Sequence, residues 1–236
     1  MLGLAEGRPL SSQKTIGKSD RLLALAIAAP LAQAHQAGDI IVRAGAITVD
    51  PQESSSDIWV GALGGDVAGT KATLDSDTQL GLNFAYMLTN NIGIELLAAT
   101  PFSHNVGVKG LGGLDGNLGE LKHLPPTLSV VYYPLDANSA FQPYVGAGIN
   151  YTWFFDTELS STAKDNGFSG LDMKDSWGLA AQVGMDYMLT DNIMLNAQVR
   201  YIDIETTGTT NILGDKVKVD VDVDPLVYMV GLGYKF

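Results

Sequence analysis

The chain has 236 residues, 46% of them hydrophobic and 17% charged, with 26 acidic against 14 basic side chains, a formal net charge of −12 and no cysteine. Disulfides and cysteine-based metal sites are thereby excluded, and no nucleic-acid partner is expected, because duplex binding needs a basic face. The length suits one domain, and a mean hydropathy of +0.12 fits either a soluble protein or a membrane barrel in which apolar and polar residues alternate.

At the N-terminus, Lys14, Lys18 and Arg21 precede an apolar run at residues 22–32, and Ala32 and Ala34 supply small residues for cleavage. This predicts a secretory signal peptide with an upstream segment over residues 1–34 and a mature chain over residues 35–236. Asp20 and the stretch before Lys14 fit that pattern poorly. The apolar run is too short to span a bilayer as a helix, and nothing after residue 34 is long and apolar enough to do so.

Eight segments then alternate with a period of two, which predicts strands with one apolar side. Strand 1 covers residues 39–49. Strand 2, at 76–88, sets Leu80, Leu82, Phe84, Tyr86 and Leu88 against Gln79, Gly81, Asn83 and Ala85. Strand 3, at 92–102, sets Ile92, Ile94, Leu96, Ala98 and Phe102 against Gly93 and Glu95. Strand 4 covers 123–133. Strand 5, at 142–155, carries Val145, Ala147, Ile149, Tyr151 and Trp153 on one side. Strand 6, at 176–189, carries Trp177, Leu179, Val183, Met185 and Tyr187 against Gln182, Gly184 and Asp186. Strand 7, at 193–204, sets Leu195, Val199 and Tyr201 against Asn196, Gln198 and Arg200. Strand 8 covers 217–236. Its apolar parity switches at Asp224-Pro225, where a bulge is expected because proline cannot donate to the ladder.

Residues 89–91 and 190–192 read as short turns within a near-repeat, Tyr86-Met-Leu-Thr-Asn-Asn-Ile92 and Tyr187-Met-Leu-Thr-Asp-Asn-Ile193. Residues 134–141 form a third connection at that end. Longer polar, glycine-rich loops are expected at 50–75, 103–122, 156–175 and 205–216. Short turns at one end and long loops at the other are the layout of an outer-membrane barrel. Aromatic placement argues for this over a soluble sandwich: Tyr86, Tyr187 and Phe236 fall at the short-turn ends, and Phe102, Trp153 and Trp177 at the long-loop ends, as in two interfacial girdles. The expected fold is an all-β, eight-stranded antiparallel transmembrane β-barrel in the bacterial outer membrane, with lipid as one partner. The last strand, ending at Phe236, resembles the signal read by the barrel-assembly machinery.

Longer motifs carry a family resemblance. The runs at 76–82, 91–102, 124–128, 141–151 and 174–178 closely resemble the OmpW family, and Val219-Asp-Val-Asp-Val-Asp-Pro225 with Tyr234-Lys-Phe236 is most similar to its OprG branch. The resemblance covers essentially the whole mature chain. It implies an outer-membrane channel for passive uptake of small hydrophobic or amphipathic solutes, released sideways through a gap in the wall, as in AlkL-like members. Related members narrow the channel at positions matching Leu97 and Arg200, with an aromatic at the second; Arg200 departs from that, which leaves two readings open, pairing with a lumen carboxylate or admission of a more polar ligand.

An eight-stranded barrel is wide enough for side chains or one small ligand, not for a broad aqueous pore. Near the short-turn end, the inward parity carries Arg43, Glu95, Asp186, Asn196 and Lys235. Opposite charges in a narrow lumen should pair, which suggests a polar plug. Higher up, Leu97, Arg200, Ile202, Val227 and Met229 are the expected channel lining, joined by Leu111, Leu114, Leu118, Leu121 and Phe168 from the loops. Pro101, Pro125 and Pro126 lack amide protons where strands 3 and 4 meet, so an incomplete ladder there is a candidate lateral gate. The histidines His104 and His123, with Asp115 and Glu120, make only a weak metal candidate, and no cofactor is expected. Ser103 and His104 are adjacent and point to opposite faces, so no catalytic constellation is expected. The competing reading is a surface adhesion barrel that uses its extracellular loops and has no through channel.

Overall fold

The computed structural model describes residues 34–236. Residues 1–33, where the targeting segment is expected, lie outside the described residues. Eight wall strands are present: β1 (Ile40–Asp50), β2 (Asp77–Met87), β3 (Ile92–Ala99), β4 (Thr127–Tyr132), β5 (Phe141–Leu159), β6 (Ser176–Met188), β7 (Ile193–Ile202) and β8 (Leu226–Lys235). Each pairs antiparallel with its neighbour in the chain, and β1 pairs with β8, so the sheet closes on itself. Closure leaves no open edge within the wall, which hydrocarbon requires.

The alternation expected from sequence places the side chains. Leu80, Phe84, Leu96, Val130, Ile149, Leu179, Val183 and Leu232 stand exposed on the outer face. Their strand neighbours Asn83, Glu95, Gln182, Asp186 and Arg200 are buried in the lumen. So continuous an exposed apolar belt is what lipid contact requires. Among the described residues no helix is long and apolar enough to cross a membrane; the wall strands make the crossing. The near-repeat gives two matching turns. Thr89 Oγ1 accepts from Ile92 N at 2.9 Å, and Thr190 Oγ1 accepts from Ile193 N at 2.9 Å.

Three expectations about the long-loop end change. Strand 3 stops at Ala99, and a separate strand, Phe102–Lys109, follows. The interruption at Thr100-Pro101 flips the parity, so Phe102 is fully buried instead of standing in the outer girdle; Trp153 and Trp177 are exposed there as expected. Strand 4 starts at Thr127, because Pro125-Pro126 separates it from the strand Gly116–Leu124, to which His123 belongs. Strand 8 is two strands, not one with a bulge. Asp215–Asp222 folds back on Glu205–Ile212, and Asp224 takes a positive φ of 38° just before Pro225. A left-handed residue followed by proline ends a ladder outright.

The long loops are themselves β-structure. The upper part of β5 pairs with Gly116–Leu124, which pairs with Phe102–Lys109, and that strand pairs with Lys71–Leu74. A second sheet joins Phe168–Met173, Glu205–Ile212, Asp215–Asp222, Ile58–Val60 and Gly65–Val67, with Ser54–Ser55 beside it. A one-turn helix, α1 (Ser161–Asp165), is capped by Ser160 Oγ accepting from Ala163 N at 3.1 Å. These segments order because their apolar parity packs inward: Ile58, Val106, Val108, Leu118, Leu121, Phe168, Met173 and Val217 form one buried cluster.

Candidate functional site

The lumen has a polar floor toward the short-turn end. Arg43 on β1 donates from Nε and Nη2 to the two oxygens of Asp186 on β6, at 3.0 and 2.6 Å. This two-pronged geometry makes the strongest kind of ion pair. Arg43 Nη1 reaches Asn83 Oδ1 at 3.0 Å and Glu95 Oε2 at 3.4 Å, and Nη2 reaches the Tyr133 hydroxyl at 2.8 Å. Asn196 Nδ2 donates to Asp186 Oδ1 at 2.8 Å. Arg43, Glu95, Asp186 and Asn196 are therefore brought together. Lys235 Nζ lies 3.9 Å from Asp39 Oδ2, at the mouth of the same end.

Arg200, expected in the channel lining, belongs to this floor as well. Its Nη2 donates to Glu95 Oε1 at 2.7 Å and its Nε to Gln182 Oε1 at 2.7 Å. Gln182 Nε2 donates to the same Glu95 oxygen at 2.9 Å. Arg200 thus supplies the second cation for a buried pair of carboxylates. The four ionised side chains Arg43, Arg200, Glu95 and Asp186 balance in charge, as their complete burial demands.

Sequence reasoning missed several members of the floor. Strand alternation places Asn83, Gln182 and Gln198 on the inward side without assigning them to the plug, and Tyr144 shares that parity. Tyr133 lies just past the end of β4 and its hydroxyl is reached only through the fold. His35 carried no signal: it precedes β1, yet Nε2 sits 3.0 Å from Asp186 Oδ2 and the ring meets Tyr133 edge-on at 4.6 Å between centroids. Room for Tyr144 comes from Gly184, where a Cβ would lie 2.4 Å from the Tyr144 ring.

Above the floor the lumen turns apolar. Leu97, Ile202, Val227 and Met229 are buried together with Ile47, Val49, Phe102 and Ile204. Leu74, Phe154 and Val219 pack against this cluster and also against the one inside the loops, so the two are continuous. Within the loop cluster lies an apolar cavity of about 40 Å³, whose lining includes Leu111, Leu118 and Phe168. Leu121 is buried in the same cluster, with Leu114 packed against it.

One side of the wall is interrupted beside this chamber. The β3–β4 ladder runs up to Leu97 opposite Thr127 and stops. Pairing resumes only at Phe102 opposite His123. Between them, Ala98 and Ala99 stay paired to β2, while Pro125 and Pro126 are held to β5: Asn150 Nδ2 donates to both of their carbonyls at 3.1 Å, and Tyr151 N donates to the Pro126 carbonyl at 3.1 Å. Pro101, Pro125 and Pro126 thus border a break in the ladder. On its outer face is a crevice of about 240 Å³ lined by Ala98, Ala99, Leu124, Pro125, Pro126, Tyr151 and Trp153.

The remaining titratable candidates separate. Asp115 accepts from Leu111 N at 2.6 Å in its own turn, and Glu120 bonds the Ser103 hydroxyl on the outer side of the hairpin. His104 and His123 meet inside it. Among the described residues, no group of three or more histidine or acidic side chains is arranged to hold a metal.

Comparison with known proteins follows the same lines. A family model described as the OmpW family matches residues 36–236. The chain is 52% identical over 207 residues to outer membrane protein W of Vibrio cholerae, covering 86% of this chain and 91% of that protein. It is 32% identical over 185 residues to outer membrane protein AlkL of Ectopseudomonas oleovorans, covering 78% and 76% respectively. The crystal structure of the outer membrane protein OprG from Pseudomonas aeruginosa superposes with a TM-score of 0.83 at 56% identity, over 86% of this chain and 98% of that one.

Proposed function

This chain belongs to the OmpW family of bacterial outer-membrane barrels, and from that premise we propose that it takes up small hydrophobic or amphipathic solutes passively and releases them sideways into the bilayer. The observation that carries the reading is the interrupted ladder between Leu97–Thr127 and Phe102–His123, which lies beside a buried apolar chamber. A solute enters among the apolar loop strands and passes the chamber lined by Leu97, Ile202, Val227 and Met229. The polar floor of Arg43, Glu95, Asp186, Asn196 and Arg200, with Lys235 near its mouth, acts as a plug against straight passage. The remaining way out is through the wall at Pro101, Pro125 and Pro126.

The energetics favour that route. An apolar solute gains about 25 cal/mol for each Å² removed from water. It loses little of this on moving from the chamber into lipid tails, whereas crossing the floor would expose it to paired charges. The test is the rate of apolar-solute uptake into proteoliposomes carrying the wild type or Pro126→Ala. The variant restores one backbone donor at the break, and a several-fold fall in uptake is expected. Unchanged uptake would remove the lateral route.

A further inference from the structure

His104 and His123 stand on the same inner face of the hairpin formed by Phe102–Lys109 and Gly116–Leu124, directly above the break in the wall. They are almost fully buried. Phe102 stacks on the His123 ring at 5.4 Å between centroids, and Phe154 lies on it at 5.7 Å. Leu74 and Phe154 join the loop cluster to the barrel chamber, so the pair borders the junction a solute must pass.

The proton positions in this pair follow from one backbone atom. His104 Nδ1 is 2.5 Å from the Asp75 carbonyl. A carbonyl only accepts, so the His104 proton is on Nδ1. In the neutral ring Nε2 is then a lone pair. It faces His123 Nε2 at 2.8 Å, so His123 carries its proton on Nε2 and donates. Burial, and then the neighbouring His104, push the His123 imidazole down to about 3, which keeps it neutral. Its remaining nitrogen, Nδ1, is therefore an acceptor, and among the described residues it has no hydrogen-bond partner. The acidic groups nearest the pair are Asp75, whose Oδ1 is 3.9 Å from His104 Nδ1, and Asp77. Both lie on the His104 side or at the start of β2, and the flanking side chains on the His123 ring are aromatic.

We propose that His123 Nδ1 is a hydrogen-bond acceptor for a hydroxyl-bearing apolar solute, such as a phenol or a long-chain alcohol, and that His104 and the Asp75 carbonyl fix the tautomer that makes it one. This inference rests on the uptake reading and names the class of solute that reading leaves open. A buried acceptor without a partner is costly, and a solute hydroxyl relieves that cost while its apolar body lies among Phe102, Phe154 and Leu74. An alkane of the same size cannot relieve it. An ammonium head could also donate, but it would have to shed its hydration in an apolar setting, which is far more costly than for a hydroxyl.

The test uses the whole protein in lipid with 2-naphthol and naphthalene, which differ by one hydroxyl. The wild type is expected to bind 2-naphthol about tenfold more tightly than naphthalene. The ¹⁵N resonance of His123 Nδ1 is expected to move with 2-naphthol and to stay put with naphthalene. His123→Phe should bring the two affinities together, and His104→Phe should reduce the preference by freeing the tautomer. Equal affinities in the wild type, or an unmoved Nδ1 resonance on 2-naphthol binding, would overturn the inference while leaving hydrophobic uptake standing. Failure to bind or pass either compound would instead overturn the uptake reading. The wild-type resonance decides the matter even where a variant does not fold.

Discussion

The two halves of the lumen are built from the same strands and carry opposite chemistry. In the lower half, four fully buried ionised side chains are held by hydrogen bonds among residues of five of the eight wall strands: Arg43 from β1, Asn83 from β2, Glu95 from β3, Asp186 and Gln182 from β6, Asn196 and Arg200 from β7. In the upper half, Leu97, Ile202, Val227 and Met229 make no ion pair and pack as a small apolar core. The boundary is sharp. Glu95 and Leu97 are two residues apart on β3, and Arg200 and Ile202 two apart on β7. A barrel this narrow excludes bulk water, so each level must satisfy itself. The floor does so by neutralising charge and the chamber by having none. The floor is thereby rigid and specific, while the chamber is held by non-directional packing that another apolar molecule can share.

The strongest way to break the contrast is to remove one ion. Asp186→Ala leaves Arg43 buried with one carboxylate fewer and strips a partner from Asn196 and His35. A loss of roughly 3–5 kcal/mol is expected, measured by urea unfolding in lipid. The double variant Arg43→Leu with Asp186→Leu sharpens the comparison. It converts this part of the floor to chamber chemistry, and it should recover most of that loss, because a removed pair is far less harmful than a broken one.

In the chamber, Phe102→Ala removes a fully buried ring and is expected to cost about 3–5 kcal/mol if the space stays empty. The same unfolding experiment with an added apolar solute should return part of that loss. Addition of the solute should stabilise Asp186→Ala no more than it stabilises the wild type. Gly184→Ala presses a methyl against Tyr144 at the floor and should cost about 1–3 kcal/mol, with naphthalene binding above unaffected.

The smallest effect belongs to the outer hairpin. The Thr207 hydroxyl, and then Lys218, hold the Asp220 carboxyl below the usual carboxylate range. Because the folded value is depressed, its small contribution is present above the unfolded value of about 3.9 and is lost as pH falls through the folded one. The protection factors of the Glu205–Ile212 amides, corrected for the intrinsic exchange rate, should therefore fall on acidification below pH 4, and Asp220→Asn should flatten that dependence.

Much of the wall was legible in the sequence. Strand positions, outward parity, short turns and the inward set Arg43, Glu95, Asp186 and Asn196 all followed from a period of two. The misreadings cluster where proline intervenes. Pro101 and the Pro125-Pro126 pair interrupt strands that the apolar alternation continues, and at Pro225 the parity switch marks the end of one strand and the start of another instead of a bulge. Phe102 and His123 changed address for that reason. Arg200 falls on the inward face by parity, and pairing with a lumen carboxylate is one of the readings open to it; that the partner is Glu95, at the level of the floor, depends on how far neighbouring strands are staggered.

Local alternation was therefore enough to determine a closed wall with lipid-facing and lumen-facing sides, since a slip of one residue would turn every side chain to the wrong face. Which inward groups meet was decided only by the tertiary structure. Arg43 finds Asp186 across 143 positions of chain, Arg200 finds Glu95 across 105, and His104 finds His123 across a hairpin that proline set apart from the wall. Those meetings depend on strand tilt and stagger around the closed barrel, quantities that no single strand's pattern encodes.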